Sequence, residues 1–196
     1  MMTNKWRRAN IVLLSIIILV NGYVICAPLW PQIHFWIVSR GHSTASQNLE
    51  LKITKPKSSS KNNVLIIPKM LLETPVIEGG MGSAYANLNK GAWRLPISSQ
   101  PDAGGNTVIA GHRFSYAGPH GVFYYLDKLK VGDEIGLRWQ GKMHHYRVTS
   151  TDTVPATQVS VQAPTNDERL TLYTCTPLWN PVNRLVVVAK PIEAKL

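Results

Sequence analysis

Three side chains capable of covalent chemistry stand at the ends of β-branched runs. His112 follows TVIA and Gly111, Cys175 ends the run LTLYTC before Thr176-Pro177, and Arg184 opens RLVVVA, nine positions after the cysteine. Together they supply a nucleophile, a proton-transfer group and a permanent cation. The thiolate is the form that attacks a carbonyl, and an adjacent cation favours it. An imidazole takes up a proton as a base and returns it to a leaving amine as an acid. A guanidinium does not deprotonate, so it suits a growing oxyanion and not base work. Taken singly, each has a plainer reading: a structural thiol, a hydrogen-bonded histidine, a strand-end charge in water.

These residues need a frame that turns three distant strand ends toward one place. The segments Val64–Ile67, Pro75–Glu78, Asn106–Ala110, Glu134–Trp139, His145–Ser150, Arg169–Cys175 and Arg184–Ala189 read as strands, several of them continuous apolar runs. Gly79-Gly80, Gly104-Gly105, Gly132-Asp133 and Gly141 punctuate them as turns. Helix signals are short, over Ser83–Lys90 and about Gly121–Leu129. Seven or eight short strands in one C-terminal block predict a mainly β domain over residues 64–196, closed as a small barrel or packed as a sandwich.

The N-terminal third is different. Residues 9–39 contain no Asp, Glu, Lys or Arg and include the run IVLLSIIILV at 11–20. A span of about 20 apolar residues crosses the hydrocarbon core as a helix. Residues 9–31 are therefore read as a transmembrane signal-anchor, preceded by a basic cytoplasmic tip, 1–8, that holds Lys5, Arg7 and Arg8. Trp6, Tyr23, Trp30 and Trp36 flank the run as interfacial aromatics do, and Pro28 and Pro31 end it. A cleaved signal peptide begins in the same way, but Pro28 follows the best small-residue site, Ala27. Residues 32–63 are read as an extracellular flexible spacer, polar and rich in Ser, Lys and Asn from 39 onward.

The 196 residues carry a formal net charge of +10, which as a whole-chain value points to an anionic polymer. Its distribution excludes that reading. Residues 1–8 contribute +3, 40–63 contribute +4, and the long block 64–196 only +3. A nucleic-acid surface needs basic residues and aromatics together on a folded face. The chain has two cysteines, Cys26 in the apolar run and Cys175 far downstream, so no disulfide framework is predicted. No paired-ligand spacing such as HExxH surrounds His112, His120 or His144-His145, and the isolated acids Asp152 and Asp167-Glu168 read as surface charge, so no metal is expected.

The block from 64 to 190 resembles the sortases, a family of bacterial cysteine transpeptidases. The likeness runs through LIIPKM, TPVIEGG, GGNTVIAGHR, YLDKLKVGDEI, LTLYTCTP and RLVVVAK, and TLYTC matches the family's Thr-Leu-x-Thr-Cys signature. The resemblance implies a closed eight-stranded sortase-type β-barrel with short helices behind one N-terminal transmembrane helix. It implies His112, Cys175 and Arg184 as catalytic residues and Thr174 as an oxyanion or substrate contact, while Trp179 in the short loop after the cysteine is a candidate groove wall. It further implies cleavage of a Leu-Pro-x-Thr-Gly-like sorting signal between Thr and Gly, and transfer of the acyl group to an amine on a cell-wall precursor or pilin. No cofactor is needed for that exchange. The partners are then secreted proteins bearing the signal, the amine acceptor and membrane lipid, at a bacterial membrane with the catalytic domain outside. One departure is KGAWRLPISSQPDAGGN, which has Trp93-Arg94 where many relatives have a Gly-His-Tyr-Pro-like segment. Two other readings stay open: a non-catalytic membrane-tethered barrel that binds peptides, and a hydrolytic cysteine peptidase of the same family.

Overall fold

The computed structural model describes residues 4–26, 33, 44–54, 62–114, 121–178 and 180–193. The chain divides into two units, residues 1–43 and 44–196. In the first, helix α1 (Asn4–Cys26) includes a stretch, Trp6–Val24, long and apolar enough to cross a membrane. Its polar interruptions fold back on the helix: Ser15 Oγ donates to the Ile11 carbonyl at 2.9 Å and Asn21 Nδ2 to that of Ile17 at 2.8 Å. Such internal bonds let polar side chains sit in an apolar helix without an unpaired donor. Pro28, Trp30, Pro31 and Trp36 lie outside the described residues.

The second unit is a closed barrel of eight strands: β1 (Val64–Ile67), β2 (Leu72–Ile77), β3 (Ala92–Arg94), β4 (Asn106–Ala110), β5 (Glu134–Trp139), β6 (Lys142–Pro155), β7 (Arg169–Thr176) and β8 (Asn183–Pro191). Their order around the barrel is β1-β2-β3-β4-β7-β8-β6-β5, and β5 pairs with β1 to leave no free edge. The β2–β3 and β4–β7 pairs are parallel; the others are antiparallel.

Alternation along the strands sets the two faces. Leu65, Ile67, Ile109, Leu137, Tyr146, Leu170, Leu172 and Val187 point inward and are buried together with Phe123 and Leu126. Tyr146 keeps its hydroxyl bonded inside this core, 3.1 Å from Glu168 Oε1, which meets the demand of a buried phenol. A second, outer layer forms where Trp93, Leu95, Val108 and Ala110 pack beneath Ala84 and Leu88 of the short helix α3 (Ala84–Leu88). The connection between β2 and β3 thus covers the outside of the sheet over β3 and β4.

Trp93 and Arg94, the pair that departs from the family pattern, are both structural ties. Trp93 Nε1 donates to the Gly79 carbonyl at 3.1 Å. Arg94 is buried, ion-pairs with Glu78 at 2.6 Å, donates to the carbonyls of Leu95 and Ser98, and lies 5.4 Å from the Trp139 ring centroid. This is how a guanidinium is tolerated in a barrel end: most of its donors have acceptors and its face has a ring.

Three elements differ from the sequence reading. The segment near 121–129 is a set of turns with a 3-10 turn at Leu126–Lys128, not a helix. β3 was not foreseen, since three residues carry no alternation. Residues 44–54, read within the flexible spacer, form helix α2 (Thr44–Thr54) docked on the barrel. Ile53 is 3% exposed and packs with Val64, Ile66, Leu49 and Met143. The socket beneath it is Gly136: a Cβ there would come within 2.7 Å of Ile53 Cγ1. Gly136→Val is therefore expected to undock α2 while the barrel stays folded. Trypsin cleavage after Lys52 should then accelerate at least about tenfold, the population change that roughly 1.4 kcal/mol of lost docking produces. An unchanged cleavage rate, with folded barrel confirmed by circular dichroism, would contradict the packing.

Candidate active site

Cys175 lies near the end of β7, directly opposite Arg184 of β8 in the antiparallel register. On its other side β7 runs parallel to β4, with Ala110 level with Tyr173, and the last ladder bond is Gly111 N to the Tyr173 carbonyl at 3.2 Å. Continuing that register by two residues sets His112 level with Cys175. The three positions form one row across the segment just past β4, then β7 and β8. Because Leu170, Leu172, Ile109 and Val187 face the core, the alternation turns His112, Cys175 and Arg184 to the outer face. The row is thus a surface site on a rigid sheet, and Cys175 is a free, partly exposed thiol.

Each end of the row is fixed by backbone chemistry. The His112 carbonyl accepts from Phe123 N at 3.0 Å, which closes the connection after β4 back onto the histidine. Gly111 admits the Phe123 ring beneath this turn: a Cβ there would meet Phe123 Cδ2 at 2.6 Å. Gly121 is still tighter, because a Cβ would lie 2.0 Å from the His112 carbonyl oxygen. The Tyr85 ring of α3 stands edge-on to the imidazole, with centroids 6.0 Å apart, and forms a side wall that the sequence did not reveal. Its only sequence signal was an aromatic on an otherwise small-residue helix.

Arg184 Nη1 donates to the carbonyls of Asn183 at 3.0 Å and Pro181 at 3.4 Å. Among the described residues no carboxylate pairs with it, in contrast to Arg94. Neutral acceptors hold the group in place without cancelling its charge, so its field remains available beside Cys175. Burial holds the His112 imidazole below its ordinary value of 6.5. Its Nε2 is buried and has no partner among the described residues.

Thr174, which the resemblance offers as an oxyanion or substrate contact, alternates to the inner face. It is 1% exposed, and its hydroxyl donates to the Gly111 carbonyl at 2.8 Å. Its hydrogen bond braces the strand ends that carry His112 and Cys175. Trp179 lies outside the described residues. Farther along the outer face, Asn106, Val154, Val161, Thr171 and Val186 line a cleft of about 440 Å³ beneath the β6–β7 connection. Asn106 pins that connection by donating to the carbonyls of Val161 and Ala163 while accepting from Thr171 Oγ1 at 2.7 Å. The region described shows no cluster of three or more metal-ligating side chains.

Comparison with known proteins places this architecture. The Sortase domain family model matches residues 65–192. The chain is 28% identical over 142 residues to Sortase D of Bacillus subtilis, covering 70% of this chain and 67% of that protein. It is 30% identical over 190 residues to Sortase SrtE1 of Streptomyces coelicolor, covering 82% of this chain but spanning only about half (51%) of that relative. Among solved structures, Sortase C of Streptococcus pneumoniae superposes with a TM-score of 0.59 at 32% identity, over 66% of this chain and 65% of that one.

The buried position of His112 has a measurable consequence. In a proton NMR titration the resonance of its Cε1-bound hydrogen should move with a midpoint below 6.5. The unfolded chain holds this proton at a pH where the folded chain has released it. The contribution of His112 to stability is therefore complete above its ordinary value and declines as pH falls through the lowered one. A midpoint at or above 6.5 would contradict the described burial.

Proposed function

Since the chain belongs to the sortase family, the bacterial cysteine transpeptidases, we propose that it cleaves a Leu-Pro-x-Thr-Gly-like sorting signal between Thr and Gly and transfers the acyl group to an amine. The observation that carries this reading is the row of His112, Cys175 and Arg184 across three adjacent strands. The Cys175 thiolate attacks the threonyl carbonyl and forms a carbon–sulfur bond. The resulting oxyanion is met by the Arg184 guanidinium, whose backbone anchors hold it in advance of the reaction. As the carbon–nitrogen bond breaks, His112 gives its proton to the departing amine. In the second half an incoming amine attacks the thioester, His112 accepts its proton, and the carbon–sulfur bond breaks to restore the thiolate. Every atom is accounted for by substrate, acceptor and side chains, so the exchange requires no cofactor.

The acceptor in this reading is a cell-wall precursor or a pilin lysine. Pilin substrate specificity is a subject of the Streptococcus pneumoniae Sortase C structure named above, and its likeness supports including the second acceptor. Helix α1, with Arg7 and Arg8 at its N-terminal end, supports a single-pass anchor with a cytoplasmic N-terminus and an outward catalytic domain. Anchoring confines enzyme, substrate and lipid-linked acceptor to one surface, which raises their effective concentration.

Cys175→Ala is expected to abolish cleavage of a fluorogenic sorting peptide, and unchanged cleavage would sink the assignment. Arg184→Lys, which keeps the charge but loses the planar fork, should lower kcat/KM by about 10²-fold. Hydroxylamine should intercept the thioester as a hydroxamate. Free acid as the sole product would favour a hydrolytic peptidase instead.

A further inference from the structure

Beyond Gly111 N the β4–β7 backbone ladder stops, yet the two strand ends remain joined by side chains. Before the His112–Cys175 level, Thr174 Oγ1 donates to the Gly111 carbonyl at 2.8 Å. After it, Arg113 Nη1 donates to Thr176 Oγ1 at 2.7 Å. The proposed reacting pair is thus bracketed by one bridge on each side, 111 to 174 and 113 to 176. The Arg113 side chain is only 16% exposed, and its second terminal nitrogen lies 3.5 Å from Asp127 Oδ1 in the 3-10 turn. Its Nε is buried without a partner among the described residues. The Arg113 carbonyl accepts from Gly121 N at 3.2 Å, so its backbone is held as well.

A guanidinium kept from water with one donor unmet is costly. An arginine serving only as surface charge would extend into solvent. This one connects three segments beyond the point where β4 and β7 hold each other through the main chain.

We propose that Arg113 is a positioning residue of the reaction, which fixes the separation of His112 and Cys175 by holding Thr176, with Asp127 orienting its guanidinium. The proposal rests on the reading of Cys175 and His112 as the reacting pair. The β7–β8 ladder continues through Thr176, so loss of the Arg113 bridge leaves Cys175 opposite Arg184. What changes is the distance to His112. Proton donation to the departing amine depends on that distance, and a displacement of about 1 Å is enough to cost up to about 10²-fold.

The step affected gives the test its selectivity. A substrate with an ester in place of the scissile amide has a better leaving group and depends less on protonation by His112. In the full-length protein, Thr176→Val removes the acceptor with almost no change of shape. It is expected to lower kcat on the amide peptide at least about tenfold, with KM within about twofold. The loss on the ester should stay below about threefold. Arg113→Lys, which cannot span Thr176 and Asp127 together, should show the same amide-selective loss, and Thr176→Ser should recover most of what Thr176→Val loses. Equal losses on amide and ester, a change confined to KM, or a full amide rate in Thr176→Val would each overturn the proposal. Activity in Cys175→Ala would instead overturn the reaction on which it rests.

Discussion

The parallel pairing of β4 with β7 is the constraint from which the rest of the site follows. Parallel neighbours cannot be joined by a tight turn, so the chain must leave the sheet and return. It does so by building β5 and β6, which also close the barrel on the far side. One register then settles several matters together. It sets His112 level with Cys175, buries Ile109 against the same core as Leu172, and places Thr174 under Gly111. A slip of one residue in this pairing would turn inward side chains outward and dismantle core and site at once.

Alternation divides the labour between the faces of these strands. Inward positions supply cohesion, through Leu170 and Leu172 and then, near the strand end, through the Thr174 hydroxyl. Outward positions carry the row of His112, Cys175 and Arg184. The two arginines show how environment separates structural from reactive use of one side chain. Arg94 is neutralised by Glu78, bonded to two carbonyls and set against Trp139. Arg184 has only carbonyl acceptors among the described residues, so no carboxylate there offsets its charge.

Much of this was legible before any coordinates. Continuous runs such as VLII, NTVIA and RLVVVA are strands because they are buried on both faces or nearly so, and their ends place His112, Cys175 and Arg184 at strand termini. What escaped the reading depends on tertiary context. Strand β3 is three residues held by neighbours on both sides, and AWR carries no period. Helix α2 hides in a polar stretch whose only apolar stripe is Leu49 and Ile53, one helical turn apart, and it is stabilised by the missing side chain of Gly136. Nothing in the sequence gives the direction of Thr174, because a threonine suits either face of a sheet. Nothing in the sequence singles out Arg113; only the fold brings Thr176 and Asp127 to it.

The long return from β4 to β7 also governs when the site can exist. During synthesis His112 emerges more than sixty residues ahead of Cys175, and Arg184 follows on β8, the last strand of the barrel. Cys175 and Arg184 share the local β7–β8 pair, but His112 joins them only through the distant β4–β7 pairing, and a topology rich in such contacts folds slowly. A chain whose β4–β7 pairing has not formed can hold Cys175 opposite Arg184 while His112 is still apart from them. The row of three side chains is therefore complete only in the closed barrel.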